Sequence, residues 1–227
     1  MFIEVRVMRI GHYLRQITGA GGTLQYIERL VLAQSRQGHE VQRLGLAKTA
    51  DAQATPEVIR VAEERDIDRV AQRYGFDILH FHGPADISRQ PASVARVRTI
   101  HGSEPYCLAR NRYLPASDRV CTVRSNLRTC TWHHVRYGCE RPRPGKILRN
   151  WLALRTEARA LPTMPLICPS TYVRDEMERA GYPSERLVIV PHAHFPKHRR
   201  TSRHREIITS IFSSWGALPL KRASAGC

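Results

Sequence analysis

The sequence predicts an α/β fold built on a parallel sheet. Short β-branched or aliphatic runs alternate with stretches whose apolar residues recur every three or four positions. Two of the runs end in the same turn, Phe76-Asp77-Ile78-Leu79-His80-Phe81-His82-Gly83 and Val97-Arg98-Thr99-Ile100-His101-Gly102. Ligands of open α/β sheets bind beyond the carboxyl ends of the strands. A repeated His-Gly turn at such ends therefore marks a functional edge.

The elements follow in order. Residues 2–10 alternate as an opening strand. A loop containing Gly19, Gly21 and Gly22 leads into a helix with Leu24, Ile27, Leu30, Val31 and Ala33 on one side. Gly38 is placed to end that helix, and Val41–Leu46 reads as the second strand. Residues 47–56 are small and polar, a loop. The pattern of Val58, Val61, Ala62, Ile67, Val70 and Ala71 predicts a helix from Pro56 to Tyr74, closed by Gly75. Phe76–Phe81 and Val97–Ile100 are the third and fourth strands. Pro165–Cys168 is a further strand, Ser170 an N-cap for the helix Thr171–Ala180, and Arg186–Val190 the last strand. Strand and helix in alternation imply right-handed crossovers, a Rossmann-like sheet.

Two regions break this pattern. Residues 103–150 are rich in Cys, Arg, His and Pro without a sustained period, and read as an insertion over the sheet edge. Residues 196–227 carry the basic runs Lys197-His198-Arg199-Arg200 and Arg203-His204-Arg205, and read as a disordered tail after a domain covering 1–195.

The formal net charge is +16 in 227 residues. Such a balance favours phosphate-bearing partners: a nucleotide diphosphate, an anionic membrane face or nucleic acid. Arginines spread along the whole chain also fit an Arg-rich proteome. No helix-turn-helix, zinc-finger or RNA-binding signature is present, so nucleic acid ranks last. No run of 18 apolar residues occurs and the N-terminus lacks a clean apolar centre. The chain is read as cytoplasmic, with peripheral contact at the inner face of the membrane as a secondary role.

Five motifs occur in sequence order: the glycine loop, Ser35-Arg36-Gln37-Gly38-His39-Glu40-Val41, Phe76-Asp77-Ile78-Leu79-His80, Thr99-Ile100-His101-Gly102 and Cys168-Pro169-Ser170. Together, over roughly residues 8–195, they resemble the N-terminal domain of family 4 glycosyltransferases of the GT-B fold. The insertion resembles one branch of that family, in which Cys107, Cys121, Cys130 and Cys139 precede an Arg149-Asn150-Trp151 segment. The resemblance implies retaining transfer of a sugar from a nucleotide-diphosphate donor to a hydroxyl acceptor: a glycan, a lipid-linked sugar or a small molecule. It implies an acceptor-side domain here, a donor-side domain elsewhere, and no metal for the donor. Only thirty-six residues follow Pro191, so the donor half is expected to be missing and turnover by this chain alone to be slight. The alternatives are an inactive glycan- or membrane-binding module and a basic nucleic-acid binder.

The candidate site residues follow. His101 is the expected catalytic residue, because an imidazole at a strand end can hydrogen-bond a sugar hydroxyl; the resemblance places it near the donor sugar. Gly21 and Gly22 are expected to bring backbone and a helix N-terminus to substrate. Gly102, Glu104 and Ser170 are the other expected substrate contacts, and Ser170 alone would also serve as a cap. His80 and His82 are expected to orient or pack. Cys107, Cys121, Cys130 and Cys139 are spaced by 14, 9 and 9 residues, with no Cys-x-x-Cys pair. They read as reduced thiols or disulfides in a capping insertion, with a zinc site as the alternative. No resident cofactor is expected.

Overall fold

A computed structural model describes residues 6–16, 21–47, 58–86, 93–140 and 143–192. Residues 2–5 of the expected opening strand, Gly19, most of the 47–56 loop and the basic tail lie outside the described residues.

The sheet has seven parallel strands in the order β3-β2-β1-β4-β5-β8-β9. The strands are β1 (Arg9–Tyr13), β2 (Glu40–Leu46), β3 (Val58–Val61), β4 (Ile78–Phe81), β5 (Ala95–Thr99), β8 (Leu166–Cys168) and β9 (Leu187–Ile189). A separate antiparallel pair, β6 (Tyr113–Leu114) and β7 (Arg119–Val120), lies in the insertion. The helices are α1 (Gly22–Arg36), α2 (Ile67–Arg73), α3 (Leu127–Tyr137), α4 (Pro144–Ala160) and α5 (Thr171–Ala180). This is a Rossmann-like α/β architecture. No helix among the described residues is long and apolar enough to cross a membrane.

The chain winds outward from β1 through β2 to β3, then returns to place β4 on the other side of β1. The winding direction therefore reverses between β1 and β4. In doubly wound sheets that switch point opens a crevice at the carboxyl ends of the two strands. The main core buries Tyr13, Leu44, Leu79, Phe81, Ile100 and Leu166. Gly11 sits at a close approach inside it. A Cβ there would stand 2.9 Å from Leu44 Cδ1, 3.0 Å from Leu79 Cδ2 and 3.2 Å from Phe76 Cδ2.

Three expectations need correction. The opening strand runs over Arg9–Tyr13, later than the alternation of residues 2–10 predicts. Pro56–Tyr74 is not one helix. Val58-Ile59-Arg60-Val61 is a strand paired with β2, Arg43 opposite Val58, and only Ile67–Arg73 is α-helical. Valine and isoleucine at 58, 61, 67 and 70 satisfy a helical spacing by coincidence, and β-branching favours the strand. The 103–150 stretch is also more ordered than its pattern suggests. Asn126 caps α3 by accepting from the Thr129 amide at 2.8 Å, Gly138 ends it with φ 63°, and Pro144 begins α4. Its apolar cluster is small: Leu108, Cys130 and Ile147, with Leu127 and Trp151 against them.

Candidate active site: a histidine chain at the switch point

His12 on β1 and His80 on β4 are register partners, so their side chains share one face of the sheet where the winding reverses. His82 lies two residues beyond His80 and points the same way. His101 follows β5, with Thr99 two residues before it. Strand periodicity alone thus gathers four imidazoles on one face. Helix α1 covers that face, contributing Tyr26 and Gln34.

The imidazoles are chained. His12 Nε2 is 2.7 Å from Gln34 Oε1, His12 Nδ1 is 2.9 Å from His82 Nε2, and His82 Nδ1 is 3.0 Å from His101 Nε2. His80 Nε2 meets Thr99 Oγ1 at 2.7 Å. The amide oxygen of Gln34 can only accept. His12 therefore carries its proton on Nε2, and its Nδ1 accepts from His82 Nε2–H. His82 Nδ1 then accepts from His101 Nε2–H. The chain leaves a lone pair on His101 Nδ1, which has no protein hydrogen-bond partner among the described residues.

All four imidazoles are held neutral. Burial pushes His12 down to about 4. Burial, with the charges of His192 and Arg98 beside it, pushes His101 down to about 4. His80 and His82 fall well below the usual range, first by burial; His12 and His101 then press on His80, and His80, His12, His101 and Arg98 on His82. Burial also raises the Tyr26 phenol, its contact with Thr99 opposing that shift. On the outer side, the rings of Tyr26 and His192 lie 4.5 Å apart by centroid. Tyr26 is 5.0 Å from His101, and His192 stacks on His101 at 5.5 Å.

His12, His80 and His82 each bring a ring nitrogen within 4.8 Å of the others and could hold a metal ion. Two nitrogens sharing a tetrahedral ion at about 2.0–2.1 Å would stand about 3.3 Å apart. The 2.9 Å between His12 and His82 fits a shared proton better. Among the described residues no carboxylate joins the three imidazoles to offset an ion's charge in this buried place.

The residues singled out from sequence fall around this chain. Gly21 and Gly22 open α1, one turn before Tyr26, which touches His101. A Cβ on either glycine would meet nothing within 4 Å, so the space beside the helix N-terminus is open. No acidic residue occupies the first turn of α1, which leaves its positive end uncompensated. Gly102 lies under the Glu104 carboxylate. A Cβ there would come within 2.5 Å of Glu104 Oε2, so the missing side chain lets the carboxylate fold over the His-Gly turn. Ser170 sits at the carboxyl end of β8 and caps α5, accepting from the Val173 amide at 3.3 Å. Behind the sheet, buried Arg98 pairs with Glu157 of α4. Cys107, Cys121, Cys130 and Cys139 are free thiols rather than disulfides, and they line one cavity with His133 and His134, apart from the chain of His12, His80, His82 and His101.

His12, Tyr26, Gln34 and His192 were not singled out from the sequence. A period-two reading of Ile10-Gly11-His12 beside His80 and His82 offers a signal for His12. The others become neighbours only through strand order.

The profile of Glycosyltransferase Family 4 matches residues 20–194. No curated protein matches the chain. Among solved structures, a glycosyltransferase from Rickettsia africae ESF-5 aligns with a TM-score of 0.46 at 11% identity, over 92% of this chain and 50% of that one. WaaG, a glycosyltransferase involved in lipopolysaccharide biosynthesis, aligns with a TM-score of 0.48 at 12% identity, over 90% of this chain and 51% of that one. The chain thus spans about half the length of these structures. The family profile covers well over half of the residues, and the chain belongs to Glycosyltransferase Family 4.

Proposed function

We propose that this domain is the acceptor-side lobe of a retaining GT-B glycosyltransferase, with a nucleotide-diphosphate sugar as donor co-substrate. In the reaction the anomeric carbon–oxygen bond to the diphosphate breaks, its electron pair leaving with the diphosphate. The acceptor oxygen bonds the anomeric carbon, and the hydroxyl proton passes to the departing diphosphate. His101 supplies a neutral lone pair at Nδ1 that accepts a hydrogen bond from a sugar or acceptor hydroxyl. With its pKa near 4 it is a poor base at neutral pH, so it positions a hydroxyl rather than removing its proton. Gly21 and Gly22 offer backbone and a helix N-terminus. Glu104 receives further hydroxyls, and Gly102 gives it room. Ser170 borders the same strand ends.

The observation that carries this reading is the unpartnered His101 Nδ1 at the switch-point edge, held in one tautomer from behind. Family membership supports the reaction class. The test is equilibrium binding of a panel of methyl hexosides and nucleotide-diphosphate hexoses. Saturable binding of a hexoside, weakened about tenfold or more in His101→Ala, is the expected result, since one good hydrogen bond to an uncharged group is worth about 1 kcal/mol and burial adds to it. Binding that ignores His101→Ala and Tyr26→Ala, or no binding by any member of the panel, overturns the proposal.

A further inference from the structure

The helices differ in what they show to solvent. α1 exposes Leu32 among Glu28, Arg29 and Arg36, and α5 exposes Tyr172 near Asp175 and Glu178. On both, charges of two signs surround the apolar residue. α4 is different. Its exposed charged residues are Arg149, Arg155 and Arg159, and its exposed large apolar residues are Leu148 and Leu152, at 50% and 52%. Its one acid, Glu157, is buried and paired with Arg98 behind the sheet. Among the described residues no carboxylate pairs with Arg149, Arg155 or Arg159.

Helix periodicity sets how these residues lie. Leu148, Leu152, Arg155 and Arg159 are spaced by four, three and four positions, so they form one row along the helix. Ile147, Glu157 and Ala160 are buried on the other side. The row opens with two leucines and closes with two arginines, and Arg149 flanks it. Arg155 lays its guanidinium over the Trp151 ring, 4.8 Å from the centroid, so its stem covers apolar surface while its charge stays outside. α3 carries the same signature. Trp132 and Val135 are 61% and 66% exposed, Arg128 and Arg136 are exposed beside them, and the helix holds no acid.

Charge selects what covers this row. A second copy of the chain carries the same net charge of +16 and is repelled, and the chain's own 196–227 segment is itself basic. Nucleic acid would match the arginines but leave the leucines in water. The row is also the convex edge of a helix, which offers no pocket to a protein partner's anchor residue. An anionic lipid surface gives phosphates to the arginines and hydrocarbon to the leucines, and has no shape of its own to match. We propose that the outward row of α4, Leu148, Leu152, Arg155 and Arg159 with Arg149 beside it, docks on an anionic lipid surface. The helix lies parallel to that surface. Leu148 and Leu152 enter the boundary between headgroups and acyl chains, and the arginines hold lipid phosphates. The 17 residues of α4 give about 25 Å of contact length. Docking requires no sugar transfer and is independent of the acceptor-side reading.

The test is flotation of the full chain with lipid vesicles. Vesicles of equal parts phosphatidylglycerol and phosphatidylcholine should bind the protein about tenfold or more tighter than pure phosphatidylcholine, and added salt should weaken that binding. Arg149→Gln with Arg155→Gln and Arg159→Gln should weaken it about tenfold or more, and so, separately, should Leu148→Ser with Leu152→Ser. Arg29→Gln with Leu32→Ser and Arg36→Gln makes the same kinds of change on α1 and should leave binding near that of the unaltered chain. Circular dichroism checks that each variant folds; if the serine pair does not, the arginine triple variant decides. Equal binding to the two kinds of vesicle overturns the proposal, as do α4 variants that bind like the unaltered chain. A DNA duplex that strips the protein from the vesicles, with the leucine pair making no difference, assigns the arginines to nucleic acid and overturns it as well.

Discussion

His82 Nδ1 stands 3.0 Å from His101 Nε2, and the other nitrogen of His82 stands 2.9 Å from His12. His82 thus joins a half-buried amide on α1 to the half-buried outer end of the histidine chain. The direction of every proton in it follows from Gln34. Gln34→Leu should strand the buried His12 Nε2–H and cost about 1–3 kcal/mol, the penalty of one unsatisfied buried polar group. Gln34→Glu keeps an acceptor and should cost less near neutral pH. Urea denaturation of the three proteins at one pH checks the order.

The buried histidines make stability depend on pH in a defined window. Their native pKa values lie below the unfolded value near 6.5. Above that value both states are neutral and stability is flat. Below it the unfolded chain binds protons that the native chain refuses, so stability falls as pH drops from about 6.5 toward 4. His12 alone contributes about 3 kcal/mol to that loss, from its shift to about 4. His12→Gln should flatten the slope between these limits. Midpoints of unfolding measured at several pH values test the sign.

Arg98 and Glu157 form a buried pair between β5 and α4, with side chains 5% and 7% exposed. Removing one partner strands a buried charge. Glu157→Gln should therefore cost about 3–5 kcal/mol, and Arg98→Met combined with Glu157→Leu should cost less than that single change. A double-mutant cycle by chemical denaturation measures the difference.

Gly11→Ala should destabilise by about 1–3 kcal/mol through overpacking, because three side chains already stand within 3.2 Å of the added carbon. Gly21→Ala meets open space and should change stability by no more than the small cost of altering a loop residue. Thermal unfolding of the pair separates packing from backbone effects.

The sequence made the strand ends legible because their signals are local. Ile78 to Phe81 and Val97 to Ile100 are apolar runs stopped by His-Gly, so His82 and His101 announce themselves. The helix ends are similarly local: Gly38 after α1, Ser170 before α5, and Gly181, which closes α5 with φ 100°. Strand order is not. His12 gains its role only because β1 lies beside β4, a pairing across 68 residues of chain. Gln34 and Tyr26 gain theirs because α1 folds back over that seam. The β3 strand was hidden because four β-branched residues also fit a helical spacing. The insertion was hidden because a small cysteine and a polar histidine, rather than large aliphatic residues, serve as buried positions of α3: Cys130 and His134.

The hydrogen-bonded chain from Gln34 through His12 and His82 fixes His101 with a proton on Nε2 and a lone pair on Nδ1. Long-range proton–nitrogen NMR of the imidazole rings measures this directly. Near neutral pH the account predicts a protonated Nε2 and an unprotonated Nδ1 for His101, with the lone pair becoming mobile between the two nitrogens in Gln34→Leu. A His101 protonated on Nδ1, or one whose tautomer ignores Gln34, contradicts it.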